Sequence, residues 1–231
     1  MPHRAAFRTV DFWVFDLDNT LYPASSGLFA QIDERMRAYV RARFGVDDAE
    51  AHKIQKGYYK RYGTTLNGLM HEHGVDPHEF LGHVHDIDVS GLAPNPQLAA
   101  AIAALPGRKV VFTNGSSAHA ERVNRQLGLH DSFDGVMDII TLGFKPKPHA
   151  EAYATLFEHF GAAPARAAMF EDLPRNLIPA HKLGMRTVLI TGEHRWRNDG
   201  PQAPDDYADY IHHETDDLGA FLAQLQFEAT T

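Results

Sequence analysis

The chain of 231 residues can hold one large domain, or a core domain with a modest insertion, and its 44% hydrophobic and 23% charged residues argue against disorder. With 22 Lys and Arg against 30 Asp and Glu the net charge is −8, which argues against a nucleic-acid polymer as partner. The absence of cysteine excludes disulfides, thiolate nucleophiles and Cys-based metal centres. Nowhere do 18 apolar residues run together, and the N-terminus has no long apolar stretch before its first acid, so the expectation is a cytoplasmic protein with no membrane partner.

In chain order, Phe12–Phe15 (FWVF) is a short continuous apolar run, the pattern of a strand buried on both faces, and it ends at Asp16. Residues 24–93 then show helical rather than strand patterning. Phe29, Ile32, Met36, Val40 and Phe44 recur at helical spacing, and turn signals stand at Gly45, Gly63, Gly74 and Asp76-Pro77. Asn95-Pro96 supplies an N-cap and a first-turn proline where the alternation resumes. Further strand runs follow at 109–113, 167–170 and 186–190, separated by helical segments 118–127, 149–160 and 176–183 that close on Gly128, Gly161 and Gly184. Alternating strands and helices predict an α/β fold, a doubly wound, Rossmann-like parallel sheet, with 1–23 and 94–231 as core and 24–93 as an inserted all-helical cap.

Open parallel sheets bind ligands beyond the carboxyl ends of their strands, so the residues that follow each strand run belong together. They are Asp16-Leu17-Asp18-Asn19-Thr20, Thr113-Asn114-Gly115-Ser116, Lys145-Pro146-Lys147-Pro148 and Glu171-Asp172. Each cluster has an ordinary alternative reading: an Asp-x-Asp turn, a strand end, a surface lysine, a helix cap. Together they offer what phosphoryl transfer needs: carboxylates for a hard cation, a lysine, a hydroxyl and amide donors. The 15 histidines are scattered, as in His71-Glu72-His73 and His83-Val84-His85, and no H-E-x-x-H spacing suggests zinc.

The order and spacing of these four clusters resemble the haloacid dehalogenase (HAD) superfamily, most of whose members are phosphatases and phosphotransferases. That resemblance implies an HAD-like core in which Asp16 is the nucleophile and becomes an aspartyl phosphate, while Asp18 is the general acid and base. It implies that Thr113, Asn114 and Lys147 bind the phosphoryl group. Mg²⁺ would sit on Asp16, the backbone carbonyl of Asp18 and Asp172, with Glu171 nearby. Lys145 competes with Lys147; the family pattern of an aromatic six residues beyond the lysine selects Lys147, since Tyr153 stands there. Dehalogenases of the superfamily need neither a second acid nor a metal, so Asp18 and Asp172 favour phosphate chemistry.

The segments DLDNTLYPASSGLFAQIDERM, FTNGSSAHAERV and PKPHAEAY are similar to the pyrimidine 5′-nucleotidase branch, which implies a small phosphorylated metabolite of the UMP or CMP type as substrate; the expected assembly is a monomer or homodimer. Tyr22, Ser25, Ser26, His85 and Asp86 are candidate substrate-selecting residues, with turn and packing roles as the alternative. A phosphatase or phosphomutase for another small phosphate, such as a sugar phosphate, is the alternative enzyme; release of inorganic phosphate without a bisphosphate activator separates hydrolase from mutase. A non-catalytic binding module on the same scaffold would be expected to have lost at least one of Asp16, Asp18, Thr113, Lys147 and Asp172, and all five are present.

Overall fold

The computed structural model of the chain describes residues 5–192 and 209–225. Six parallel strands form a single sheet: β1 (Phe12–Phe15), β2 (Arg108–Phe112), β3 (Gly135–Met137), β4 (Ala167–Glu171), β5 (Arg186–Ile190) and β6 (His213–Thr215), in the order β3-β2-β1-β4-β5-β6. The α/β expectation is met. All four residues of β1 and all five of β4 are buried, which is why these strands read as unbroken apolar runs rather than alternating ones. Phe15 lies opposite Val111 on one side and Phe170 on the other. The strands therefore stop nearly in step, and the loops leaving β1, β2 and β4 emerge at one edge. The order reverses at the β1–β4 boundary, the switch point at which such sheets open a ligand crevice.

Among the described residues, Ala24–Gly91 form one compact unit, and the residues up to Pro23, from Leu92 to Gly192 and at 209–225 form the other. The helical unit holds α1 (Leu28–Phe44), α2 (Asp48–Tyr62), α3 (Thr65–His73) and α4 (Pro77–Val84). Asp47, Thr64 and Asp76 accept the first free N–H groups of the last three helices, so each start is written in sequence as a capping residue. Gly68 of α3 lets it approach α2: a Cβ there would stand 2.4 Å from the Cβ of Tyr58.

The α/β unit adds α5 (Pro96–Ala103), α6 (Ser117–Leu127), α7 (Ala150–Phe160), α8 (Pro174–Lys182) and α9 (Leu218–Leu225). Asn95 caps α5, accepting from the Leu98 N–H at 3.0 Å, and Gly128 and Gly161 end α6 and α7 in the left-handed conformation, as their spacing predicts. Phe12, Val14, Val110, Phe112, Met137 and Met169 pack with Tyr153, Leu156 and Phe157 of α7 and Leu177 of α8 into the principal core. Elsewhere on β1 and β4, Phe15 stacks on Phe170, their rings 4.8 Å apart, and Trp13 lies 6.3 Å from the same ring. Three elements differ from the sequence reading. Strands β3 and β6 are three residues long and sit at the two edges, so neither needs an apolar run, and α9 had no forecast.

Candidate active site

The Asp16 N–H donates to the Phe170 carbonyl at 2.9 Å, which carries the β1–β4 pairing one residue past the strand. Beyond it the chain turns sharply: the N–H groups of Thr20 and Leu21 return to the Leu17 carbonyl, and Asn19 takes a φ of 61°, a left-handed conformation that asparagine tolerates better than most residues. The turn brings the Thr20 hydroxyl to Asp16 Oδ2 at 3.1 Å.

The loop after β2 is held from several directions. Thr113 Oγ1 accepts from the Gly115 N–H at 2.9 Å, and Ser116 caps α6 through the His119 N–H at 3.3 Å. Asp138 accepts from the N–H groups of Ser117 and Thr141 at 2.8 Å each; burial alone would raise its carboxyl, but those bonds outweigh it and hold the group below the usual range. Asn114 clasps the backbone of Lys147, donating to its carbonyl at 3.1 Å and accepting from its N–H at 2.8 Å. That amide clasp sets where the lysine starts.

Lys147 is only 1% exposed, and its Nζ donates to Asp16 Oδ1 at 2.6 Å and to Glu171 Oε2 at 2.7 Å. Lys145, the competing lysine, is exposed. Glu171 Oε1 accepts from the N–H groups of Asp172 and Leu173 at 3.1 Å each, so this carboxylate is fully engaged. Carboxylate oxygens of Asp16, Glu171 and Asp172 lie within 4.8 Å of one another.

One ammonium thus faces three buried carboxylates, and the surplus appears in their acidities. Burial first, then the charge of Glu171, pushes Asp16 up to about 7 against the pull of Lys147. Asp172 is raised well above the carboxylate range by burial and by the charges of Glu171 and Asp16. Burial opposes ionisation of Lys147 and Glu171 too, but Asp16 and Glu171 hold the ammonium charged, and Lys147 with the loop N–H groups holds Glu171 ionised. An all-oxygen, net-negative donor set of this kind fits a hard divalent cation.

The family model for haloacid dehalogenase-like hydrolases matches residues 11–197. The chain belongs to that family. Among curated relatives it is 28% identical over 193 residues to phosphate metabolism protein 8 of Saccharomyces cerevisiae, covering 76% of this chain but only 60% of the yeast protein. It is 27% identical over 227 residues to a glyceraldehyde 3-phosphate phosphatase of Methanocaldococcus jannaschii, covering 92% of this chain and 97% of that one. The L-2-haloacid dehalogenase of Xanthobacter autotrophicus, solved with chloropropionic acid covalently bound, superposes with a TM-score of 0.59 at 18% identity, covering 95% of this chain and 100% of that one. At that identity the likeness is one of fold.

Within this HAD-like hydrolase the residues singled out from sequence fall into two sets. Asp16, Lys147, Glu171 and Asp172 form the ionic cluster, with Asn114 behind the lysine and Thr113 immediately after β2. The Asp18 side chain belongs to the second set: its Oδ1 accepts from the Tyr22 hydroxyl at 2.5 Å and meets His119 Nε2 at 2.9 Å. Burial, then the Asp18 charge, raises Tyr22 well above the ordinary phenol range. His119 went unread among 15 histidines; the one available signal was its place three residues after the capping Ser116, on the buried side of a first helical turn. The remaining candidates serve the helical unit. Ser26 accepts from the Leu28 N–H at 3.3 Å, Asp86 pairs with Arg35 at 3.0 Å, and buried His85 ends α4. Tyr153 reaches the lysine through Phe112, whose ring it meets edge-on at 5.2 Å and over which Lys147 Nζ lies at 5.2 Å. Among the described residues, no helix is long and apolar enough to cross a membrane.

Proposed function

We propose that the chain is a Mg²⁺-dependent phosphomonoester hydrolase acting through an aspartyl phosphate on Asp16, with pyrimidine 5′-nucleoside monophosphates of the UMP and CMP type as preferred substrates. The observation that carries the reaction is the Asp16 carboxylate at the switch point, held by Lys147 at 2.6 Å, with a second carboxyl group two residues on and the Asp172 carboxylate in the same buried cluster. A dehalogenase has no use for that third carboxylate.

Asp16 attacks phosphorus, and its O–P bond forms as the ester O–P bond breaks; a proton from the Asp18 carboxyl goes to the departing oxygen. Water then attacks phosphorus, giving its proton to Asp18, and the Asp16 O–P bond breaks to release inorganic phosphate. Lys147 and the Thr113 hydroxyl, whose oxygen already accepts from Gly115, stabilise charge on the transferring oxygens. Asp16, Asp172 and the Asp18 carbonyl would hold Mg²⁺, which supplies the positive charge that keeps the carboxylates ionised beside a phosphate dianion. The residues 24–91 would act as the cap that excludes water and selects the leaving group.

The nucleotide preference rests on the similarity of the segments flanking the first three clusters. A second reading has its own support, because the archaeal relative that spans nearly the whole chain is named for glyceraldehyde 3-phosphate. A screen of phosphate release over nucleoside monophosphates, triose and sugar phosphates decides between them. The expected result is activity lost in EDTA and restored by Mg²⁺ but not Ca²⁺, with kcat/KM for UMP and CMP roughly tenfold above AMP and GMP. A triose phosphate ahead of every nucleotide overturns the substrate assignment, and full activity in chelator overturns the mechanism.

A further inference from the structure

Two groups converge on one oxygen of Asp18. The Tyr22 hydroxyl donates to Oδ1 at 2.5 Å, and His119 Nε2 stands 2.9 Å from the same atom. They come from different parts of the fold: Tyr22 from the turn four residues downstream of Asp18, His119 from the first turn of α6, 101 residues away. Both are enclosed, Tyr22 at 2% exposure and His119 at 1%. Both are also fixed from behind. The His119 backbone N–H is capped by Ser116, whose neighbour Ser117 is tied to Asp138, and Tyr22 sits on the turn closed by the Leu17 carbonyl.

We propose that Tyr22 and His119 are positioning residues for Asp18, holding its carboxyl group in one rotamer so that Oδ2 carries the proton exchanged with the leaving group. In its Nε2–H tautomer, His119 brings the second hydrogen to the oxygen that Tyr22 already donates to. An oxygen that accepts two hydrogen bonds is the carbonyl-like oxygen of the acid form, which puts the transferable proton on the other one. A carboxyl group on a two-residue turn has free rotation about χ1 and χ2; two donors on one oxygen remove it, and orientation of an acid toward its proton acceptor is a large part of its rate advantage. The inference rests on the assignment of Asp18 as general acid in the proposed phosphatase reaction.

The test uses two aryl phosphates with different needs for a proton: phenyl phosphate, whose leaving group must be protonated, and 2,4-dinitrophenyl phosphate, whose leaving group departs as an anion. In the Mg²⁺-loaded full chain, kcat/KM is measured for His119→Leu, His119→Gln and Tyr22→Phe. His119→Leu should lose roughly 10²-fold on phenyl phosphate, the scale of general acid catalysis, and less than about threefold on the dinitrophenyl ester. His119→Gln, which returns an N–H at the Nε2 position, should recover at least a third of the loss on a logarithmic scale. Tyr22→Phe, a change of one oxygen, should show the same selectivity with a smaller drop and guards against a misfolded histidine variant. Equal losses on both esters in all three variants would make the two residues merely structural and overturn the proposal. If the wild-type chain hydrolyses neither ester with Mg²⁺, the phosphatase reading itself falls, a result distinct from equal losses.

Discussion

The two compact units each bury an aspartate against a lysine, and the contrast separates a structural charge pair from a chemical one. In the helical unit, Asp33 Oδ1 accepts from Lys56 Nζ at 2.9 Å and from Gln55 Nε2 at 2.8 Å: one carboxylate, one ammonium and a neutral amide. In the α/β unit Lys147 serves both Asp16 and Glu171, and Asp172 adds a third carboxylate to the same cluster. The first arrangement is balanced and ties α1 to α2. The second sets three buried carboxylates around one lysine, and burial together with the neighbouring negative charges raises Asp16 to about 7 and lifts Asp172 as well. Folding alone gives no reason to bury so many carboxylates together; the proposed binding of a cation and a phosphate would.

The largest effect that would test this contrast is on turnover. Asp16→Asn keeps the shape of the side chain and removes the proposed nucleophile, so activity should fall by roughly 10⁴-fold or more while the circular dichroism spectrum is unchanged. A variant retaining a tenth of the activity would show that Asp16 is another buried carboxylate like Asp33.

On the stability scale, Lys147→Met leaves Asp16 and Glu171 buried without their cation and should cost about 3–5 kcal/mol in urea unfolding. Lys147 bridges two buried carboxylates, so a loss smaller than that of Lys56→Met would remove the distinction between the clusters.

The burial and crowding of these carboxylates also set a pH dependence. Asp16 titrates at about 7 in the fold and near its ordinary value of 3.8 when unfolded, so the native state holds the extra proton between those limits. Stability of the metal-free protein should therefore fall as pH rises from 4 to 7, with a slope of up to roughly 1.4 kcal/mol per pH unit for one proton. Asp172 acts in the same direction, while Glu171 acts oppositely and only below its ordinary value of 4.5. Asp172→Asn should flatten the slope and stabilise the metal-free protein, and Mg²⁺ should flatten it in the wild type. A flat profile in EDTA would show that the fold holds no extra proton on Asp16 or Asp172. The smallest effect belongs to the helical unit: Lys56→Met should cost about 1–3 kcal/mol, the penalty of an unpaired buried acceptor, and Mg²⁺ should not alter it.

Much of the fold was legible because the central strands of a parallel sheet are buried on both faces, so FWVF and AAMF stand out as apolar runs, and because capping groups such as Asn95, Gly128 and Gly161 act within one helical turn. Edge strands have only one paired side and carry no such run, which is why GVM and HET passed unseen. For the candidate site the same contrast holds. Asp16, Asp18, Thr113, Asn114 and Asp172 follow strand ends and can be gathered by the rule that sheet edges collect ligands, while Lys147, ten residues beyond β3, is selected by the family pattern that places an aromatic six residues on. His119 has no such marker.

The sequence by itself determined which chemical groups the sheet edge would offer, because a parallel sheet sends the residue after each strand to the same side. Only the tertiary structure decided how those groups divide. It gave Lys147 to Asp16 and Glu171, set Asp172 beside them in the same buried cluster, and turned the Asp18 side chain toward Tyr22 and His119. The physical reason is that pairing depends on distances of a few ångströms between residues separated by as many as 131 positions in the chain. Local pattern carries no record of such distances; sheet register, the Asn114 clasp and the α6 cap set them.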